Sequence, residues 1–244
     1  DTQLSLGKMI CVPLKNFTID IEGMIDAITP KTKIIFISNP NNPTGTIVKK
    51  EDMQKLMQKI PPHLLVVCDE AYHEYVEDPG YPDTLSMVRE GKNIIVLRTF
   101  SKIYGLAGLR IGYGIARKGI ISILEKARPP FNVNCLAQVA ARASLKDSQH
   151  VTKSKNLVRE QKKFLYEELE KLGIPFVPSE TNFILIKAGK KCKKITSFLL
   201  KRGVIVRDME AYNLPEYIRL TIGTYQDNRT FLQEFKNALR QAEE

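Results

Sequence analysis

The chain has 244 residues, 43% of them hydrophobic and 26% charged, a balance that suits a soluble globular protein with either one large domain or a larger and a smaller one. No apolar run approaches the roughly 18 residues that cross a bilayer, and Cys11, Cys68, Cys135 and Cys192 are too scattered for a zinc or redox pair, so no membrane, no metal and reduced thiols in the cytoplasm are expected. The net charge of +10 comes from lysines spread through amphipathic stretches, densest at 187–194, with no basic stripe interleaved with aromatics, which disfavours nucleic acid and suits small anionic ligands.

Residues 1–8 carry neither a starting methionine nor a leader pattern, so the chain is expected to begin inside a longer one. Ile21, Met24, Ile25 and Ile28 recur at helical spacing and predict a helix over 19–28 that stops at Pro30. The apolar run at 33–38 predicts a buried strand that enters Asn39-Pro40-Asn41-Asn42-Pro43-Thr44-Gly45, a segment dense in turn formers. Met53, Leu56, Met57 and Ile60 then fall on one helical face ended by Pro61-Pro62, giving a strand, polar loop and helix in α/β order. A second strand at 64–68 delivers Asp69-Glu70-Ala71-Tyr72, and a third at 94–97 delivers Ser101-Lys102 into a Gly-rich turn.

Farther on, the pattern predicts a strand at 109–116, helices at 120–126 and 136–145 around the break at 128–134, and a long amphipathic helix over 151–172 that carries Leu157, Phe164, Leu165, Leu169 and Leu172. Strands at 183–187, 204–206 and 217–221, a helix at 193–201 and a closing helix at 227–242 on Phe231, Phe235 and Leu239 complete the chain, with no internal repeat.

In open α/β sheets, ligands sit beyond the carboxyl ends of the strands, where Asn42, Asp69, Tyr72, Ser101 and Lys102 would converge. Each has an ordinary alternative: a turn former, a helix cap, a packed aromatic, a solvated surface lysine. Together, pyridoxal phosphate (PLP) matches them group by group. A lysine can bond the cofactor aldehyde, a carboxylate can keep the ring nitrogen protonated, amide and phenol can hold the ring oxygen, and hydroxyl and guanidinium can hold the phosphate. Competing motifs fail: Gly112-Tyr113-Gly114 lacks the third glycine of a dinucleotide fingerprint, no phosphate-binding Walker loop or nucleophile elbow is present, and His63, His73 and His150 form no ligand cluster.

The segments 39–45, 69–72, 99–113, 130–134 and 217–223, in that order, resemble the class I/II aminotransferases of PLP fold type I, and among them most of all the histidinol-phosphate aminotransferases. The resemblance implies an α/β fold: a three-layer αβα large domain, N-terminally incomplete, with a mostly parallel sheet over 1–150, and a smaller α+β domain over 151–244. It implies that Lys102 bonds the cofactor, Asp69 faces the ring nitrogen, Asn42 and Tyr72 hold the ring oxygen, and Ser101, Arg110 and Thr99 hold the phosphate. Arg219 occupies the position of the substrate-anion arginine, and Arg207 is a second candidate cation. The implied activity is transfer of an amino group from a small-molecule donor, best L-histidinol phosphate on the strength of Phe131-Asn132-Val133-Asn134, to 2-oxoglutarate as the 2-oxo acid, in a cytoplasmic homodimer. The alternatives are an aromatic-amino-acid aminotransferase, a PLP decarboxylase, or the PLP-sensing domain of a DNA-binding regulator. The family's N-terminal part, with its phosphate loop and ring-stacking aromatic, has no counterpart here, so a fragment with an opened pocket, inactive by itself, is expected.

Overall fold

Short apolar runs build two separate sheets in the computed structural model, which describes residues 7–243. Residues 1–6 and Glu244, at the outer ends of the two expected domains, lie outside the described residues. The first half runs α1 (Ile21–Asp26), β1 (Ile34–Ser38), α2 (Lys50–Lys59), β2 (Leu65–Asp69), α3 (Thr84–Arg89), β3 (Ile94–Thr99) and β4 (Gly112–Ala116). Its sheet has the order β1-β2-β3-β4, parallel through β3 and antiparallel at β4. In β1, Ile35 and Ile37 are buried while Ile34 and Phe36 face outward, Phe36 with 63% of its surface exposed. That period of two presents one face to Met53 and Leu56 of α2, Ile21 of α1 and Met87 of α3.

Helix α1 is shorter than the spacing of its isoleucines predicts. Asp20 caps its start by accepting from the Gly23 N–H at 3.1 Å, and Ile28 closes a turn onto the Ile25 carbonyl beyond its end. The strand expected at 109–116 begins only at Gly112, because residues 107–109 form a 3-10 turn and Arg110 is left-handed at φ 55°. Gly112 is required there: a Cβ would lie 2.7 Å from the Arg98 carbonyl oxygen.

The second half contains α4 (Lys118–Ala127), α5 (Cys135–Ser144), α6 (Ser148–Lys171), β5 (Phe176–Val177), β6 (Phe183–Lys187), α7 (Cys192–Lys201), β7 (Arg207–Asp208), β8 (Tyr217–Thr221) and α8 (Tyr225–Glu243). The sheet order is β5-β6-β8-β7, antiparallel throughout. The strand expected at 204–206 is displaced to Arg207–Asp208. Gly203, at φ 77°, turns the chain so that Val204 N–H bonds the Leu199 carbonyl and finishes α7, and pairing with β8 starts only after that turn is complete. Leu165 and Leu169 of α6 pack with Ile184 and Ile186 of β6 and with Phe231 and Phe235 of α8 in a single core. Asp147 caps α6 through the His150 N–H at 2.9 Å. No helix among the described residues is long and apolar enough to cross a membrane.

The two halves are joined at their polar loops. Tyr72, Tyr75 and Ile103, from the loops after β2 and β3, belong to the core of the second sheet. Glu180 donates its N–H to the Gly45 carbonyl at 2.8 Å, and its carboxylate accepts from the Glu77 N–H at 2.7 Å. Lys162, buried in α6, donates to the Ser179 carbonyl at 2.7 Å, and burial holds its ammonium below the usual lysine range.

Candidate active site

The carboxyl ends of β2 and β3 open onto a cleft of about 420 Å³ whose lining includes Asp69, Thr99, Ser101, Lys102, Arg110 and Gly112. Asp69 ends β2, and the only hydrogen bond to its carboxylate among the described residues comes from the Ala71 N–H, at 3.1 Å. Its carboxylate has no ion-pair partner among the described residues and points into solvent-accessible space. Thr99 ends β3 and accepts the Ser101 N–H at 3.0 Å, which turns the chain so that Ser101 and Lys102 follow on the same rim. Arg110, on the opposite side, donates to the Ala107 carbonyl at 2.8 Å and keeps the rest of its guanidinium accessible.

A chain of aromatic and cationic groups leads from this cleft to the second sheet. Lys102 Nζ lies 5.1 Å from the centre of the Tyr72 ring, and Tyr72 meets Phe183 edge-on at 5.2 Å. The Arg219 guanidinium sits over the Phe183 ring, 5.0 Å from its centre, and donates through Nη1 to Asn42 Oδ1 at 2.5 Å. Arg219 Nε is buried without a hydrogen-bond partner among the described residues. Arg207 pairs in register with Arg219 across β7 and β8, so both side chains stand on one face of that sheet, Arg207 at the exposed edge. The residues singled out from the sequence therefore fall into two adjoining groups. Asp69, Thr99, Ser101, Lys102 and Arg110 line the cleft, while Asn42, Tyr72 and Arg219 sit beside it at the junction of the sheets.

One buried cluster lies outside those expectations. Glu70 is fully buried; its Oε2 accepts from Arg98 Nε at 2.9 Å and Nη2 at 2.8 Å, and its Oε1 accepts from Thr84. Burial pushes the Glu70 carboxyl above the usual range, opposed by Thr84 and Arg98. His73 Nδ1 is 3.7 Å from Glu70, beyond a hydrogen bond; burial, with Arg98 adding to it, lowers the imidazole to about 4, so the ring is neutral at pH 7. A charged residue closing the apolar run Ile94-Ile95-Val96-Leu97 was the signal for Arg98, since a strand rarely buries an arginine without a partner.

The sequence matches the model of the family "Aminotransferase class I and II" over residues 1–235. The chain belongs to the class I and II aminotransferases. As an aminotransferase-family chain it is 48% identical over 238 residues to the histidinol-phosphate aminotransferase of Moorella thermoacetica, covering 97% of this chain and 62% of that protein. It is 45% identical to the protein of the same name from Caldicellulosiruptor saccharolyticus, covering 98% of this chain and 66% of that one. The chain thus spans just under two thirds of these curated relatives' length. Among solved structures, this aminotransferase fold superposes with TM-score 0.92 at 29% identity on a putative histidinol-phosphate aminotransferase from Erwinia carotovora atroseptica, over 98% of this chain and 70% of that one. It also superposes with TM-score 0.89 at 27% identity on the Sinorhizobium meliloti histidinol-phosphate aminotransferase in complex with pyridoxal-5'-phosphate, over 96% of this chain and 65% of that one. The four-stranded, mostly parallel sheet, with its four-stranded antiparallel companion, is PLP fold type I.

Proposed function

We propose that this chain is the cofactor-bearing part of a PLP-dependent aminotransferase of histidine biosynthesis, acting on L-histidinol phosphate with 2-oxoglutarate as amino acceptor, in a cytoplasmic homodimer. The supporting observation is one cleft that brings together a lysine amine, a carboxylate without a cation among the described residues, two hydroxyls and an accessible guanidinium. That donor set fits PLP: Lys102 would attach it, Asp69 would face its ring nitrogen, Asn42 and Tyr72 would hold its ring oxygen, and Thr99, Ser101 and Arg110 its phosphate. When bound, the cofactor supplies a protonated ring that withdraws electrons from the substrate's α-carbon.

This chain's own residues account for the rest. Asp69, as an anion, favours a proton on the group it faces. Lys102 Nζ, as a neutral amine, takes the proton from the substrate's α-carbon. Arg219, with its guanidinium fixed by Asn42 and Phe183, holds a carboxylate or phosphate. Arg207 offers a second cation on the same face.

The test is incubation of the chain with PLP, borohydride reduction and peptide mass mapping. A cofactor-modified peptide containing Lys102, absent from Lys102→Ala, is expected; unmodified Lys102, or modification that survives elsewhere in Lys102→Ala, sinks the assignment. The amino donor is then read from the spectral response of the bound cofactor. A response to histidinol phosphate supports the proposal, whereas a response to phenylalanine alone, release of CO₂, or binding of an amine without turnover by the full-length protein favours the aromatic, decarboxylase or sensor alternative.

A further inference from the structure

Asp69 and Leu97 are register partners in β2 and β3, so the side chains of the residues after them, Glu70 and Arg98, turn to the sheet face opposite those of Asp69 and Leu97, while Arg98 itself is among the residues at the rim of the cleft. Glu70 N–H extends the ladder by donating to the Leu97 carbonyl at 2.8 Å. Behind that bond, Arg98 clamps Glu70 Oε2 through two nitrogens, at 2.9 and 2.8 Å, and Thr84 occupies Oε1. Both carboxylate oxygens are therefore filled, one of them by a side chain of α3. The two strands so tied are the ones whose next residues enter the cleft: Asp69 on one, Thr99, Ser101 and Lys102 on the other.

We propose that Glu70 and Arg98 are a positioning pair that fixes the separation between the Asp69 carboxylate and the Ser101-Lys102 turn, and so determines whether PLP is held at both ends at once. This rests on the cofactor proposal above. A fully buried carboxylate without its cation must take a proton or draw in water, and either response loosens the strand ends that it ties. The consequence reaches the cleft because Asp69 and Glu70 are adjacent in the chain and Thr99 is adjacent to Arg98. In this role Glu70 and Arg98 act through their chain neighbours Asp69 and Thr99.

The experiment titrates the full chain with PLP, following the affinity and the induced circular dichroism of the bound cofactor, in wild type, Arg98→Met, Arg98→Lys, Asp69→Asn and the Arg98→Met/Asp69→Asn double variant. All are measured at a temperature where far-ultraviolet dichroism shows them folded. Arg98→Met is expected to weaken PLP binding about tenfold or more and to reduce the induced signal per bound cofactor, with Arg98→Lys recovering part of both. In the Asp69→Asn background the same change is expected to cost less than about twofold, because the group it acts through is already gone. Glu70→Gln, which keeps the side chain's shape, runs through the same cycle and carries the test if Arg98→Met does not fold. Unchanged affinity and induced signal in a variant with lowered thermal stability, or a loss undiminished by Asp69→Asn, overturns the positioning role alone. Failure of the wild-type chain to take up PLP overturns the cofactor proposal and this inference with it.

Discussion

Gly45→Ala tests the junction between the two sheets. Gly45 has φ 80°, and a Cβ at that position would lie 2.2 Å from Ser179 Oγ, 2.6 Å from Ser179 Cβ and 3.1 Å from Ser179 Cα. The left-handed backbone alone costs an alanine about 1–2 kcal/mol. Ser179 cannot step aside freely, because its N–H bonds Tyr166 at 2.7 Å, its carbonyl bonds Lys162 at 2.7 Å and its hydroxyl bonds Thr181 at 2.8 Å. Forcing a methyl into such a packed site costs about another 1–3 kcal/mol. The expected loss is then about 2–5 kcal/mol, or roughly 4–20 °C in Tm for a chain of this size. Gly91→Ala is the matched control, with φ 77° and nothing within 4 Å of the added carbon, so it carries the backbone cost alone. Urea titration of the two variants measures the difference. Equal losses in Gly45→Ala and Gly91→Ala would refute the claim that close approach of Ser179 demands a glycine at 45.

Three further outcomes are expected. Arg219→Gln removes a charge-assisted donor worth about 1.5–3 kcal/mol, so the dissociation constant of an anionic substrate should rise roughly 10- to 150-fold by calorimetry, and a rise below about threefold would contradict the anchoring role. His73 is neutral when folded down to about pH 4 but titrates near its ordinary 6.5 when unfolded. The unfolded chain therefore binds the extra proton between those values, and stability falls as pH drops through that window. A plot of Tm against pH should be flatter there for His73→Gln than for wild type; parallel curves would show that His73 contributes nothing. Leu165→Ala, at a fully buried position of α6, should cost about 2–5 kcal/mol in urea titration, and a cost under about 1 kcal/mol would place that face of α6 outside the core.

Strands β1 to β3 were legible because each is a short apolar run bounded by turn-forming or polar residues, and the parallel order follows from the intervening helical patterns. Asp69 and Lys102 stood out for the same reason, as polar groups delivered by buried strands. Helix α3, with six residues, and strand β5, with two, are too short to show a period. The displacement of β7 depended on how α7 ends at Gly203, which is a matter of backbone turn geometry rather than hydrophobicity. Pairings across long sequence separations were out of reach altogether. Nothing local to Asn42 indicates that it accepts a hydrogen bond from Arg219, 177 residues away, and Glu70 reads as a helix cap until the register of β2 and β3 sets it beside Arg98.

The Asn42–Arg219 bond also has a bearing on how the protein loses its site. Asn42 hangs from a loop on the first sheet's core and Arg219 from a strand in the second, and Tyr72 reaches from one into the other. Separation of the two cores, with each still folded, is enough to dismantle this part of the pocket. Undocking with each sheet intact would abolish ligand binding while leaving amide protection within the sheets in place, so the two measurements separate undocking from unfolding. Any ligand that touches Asn42 and Arg219 together acts as a staple across that seam, and its binding energy appears as resistance to undocking before it appears as a higher global stability.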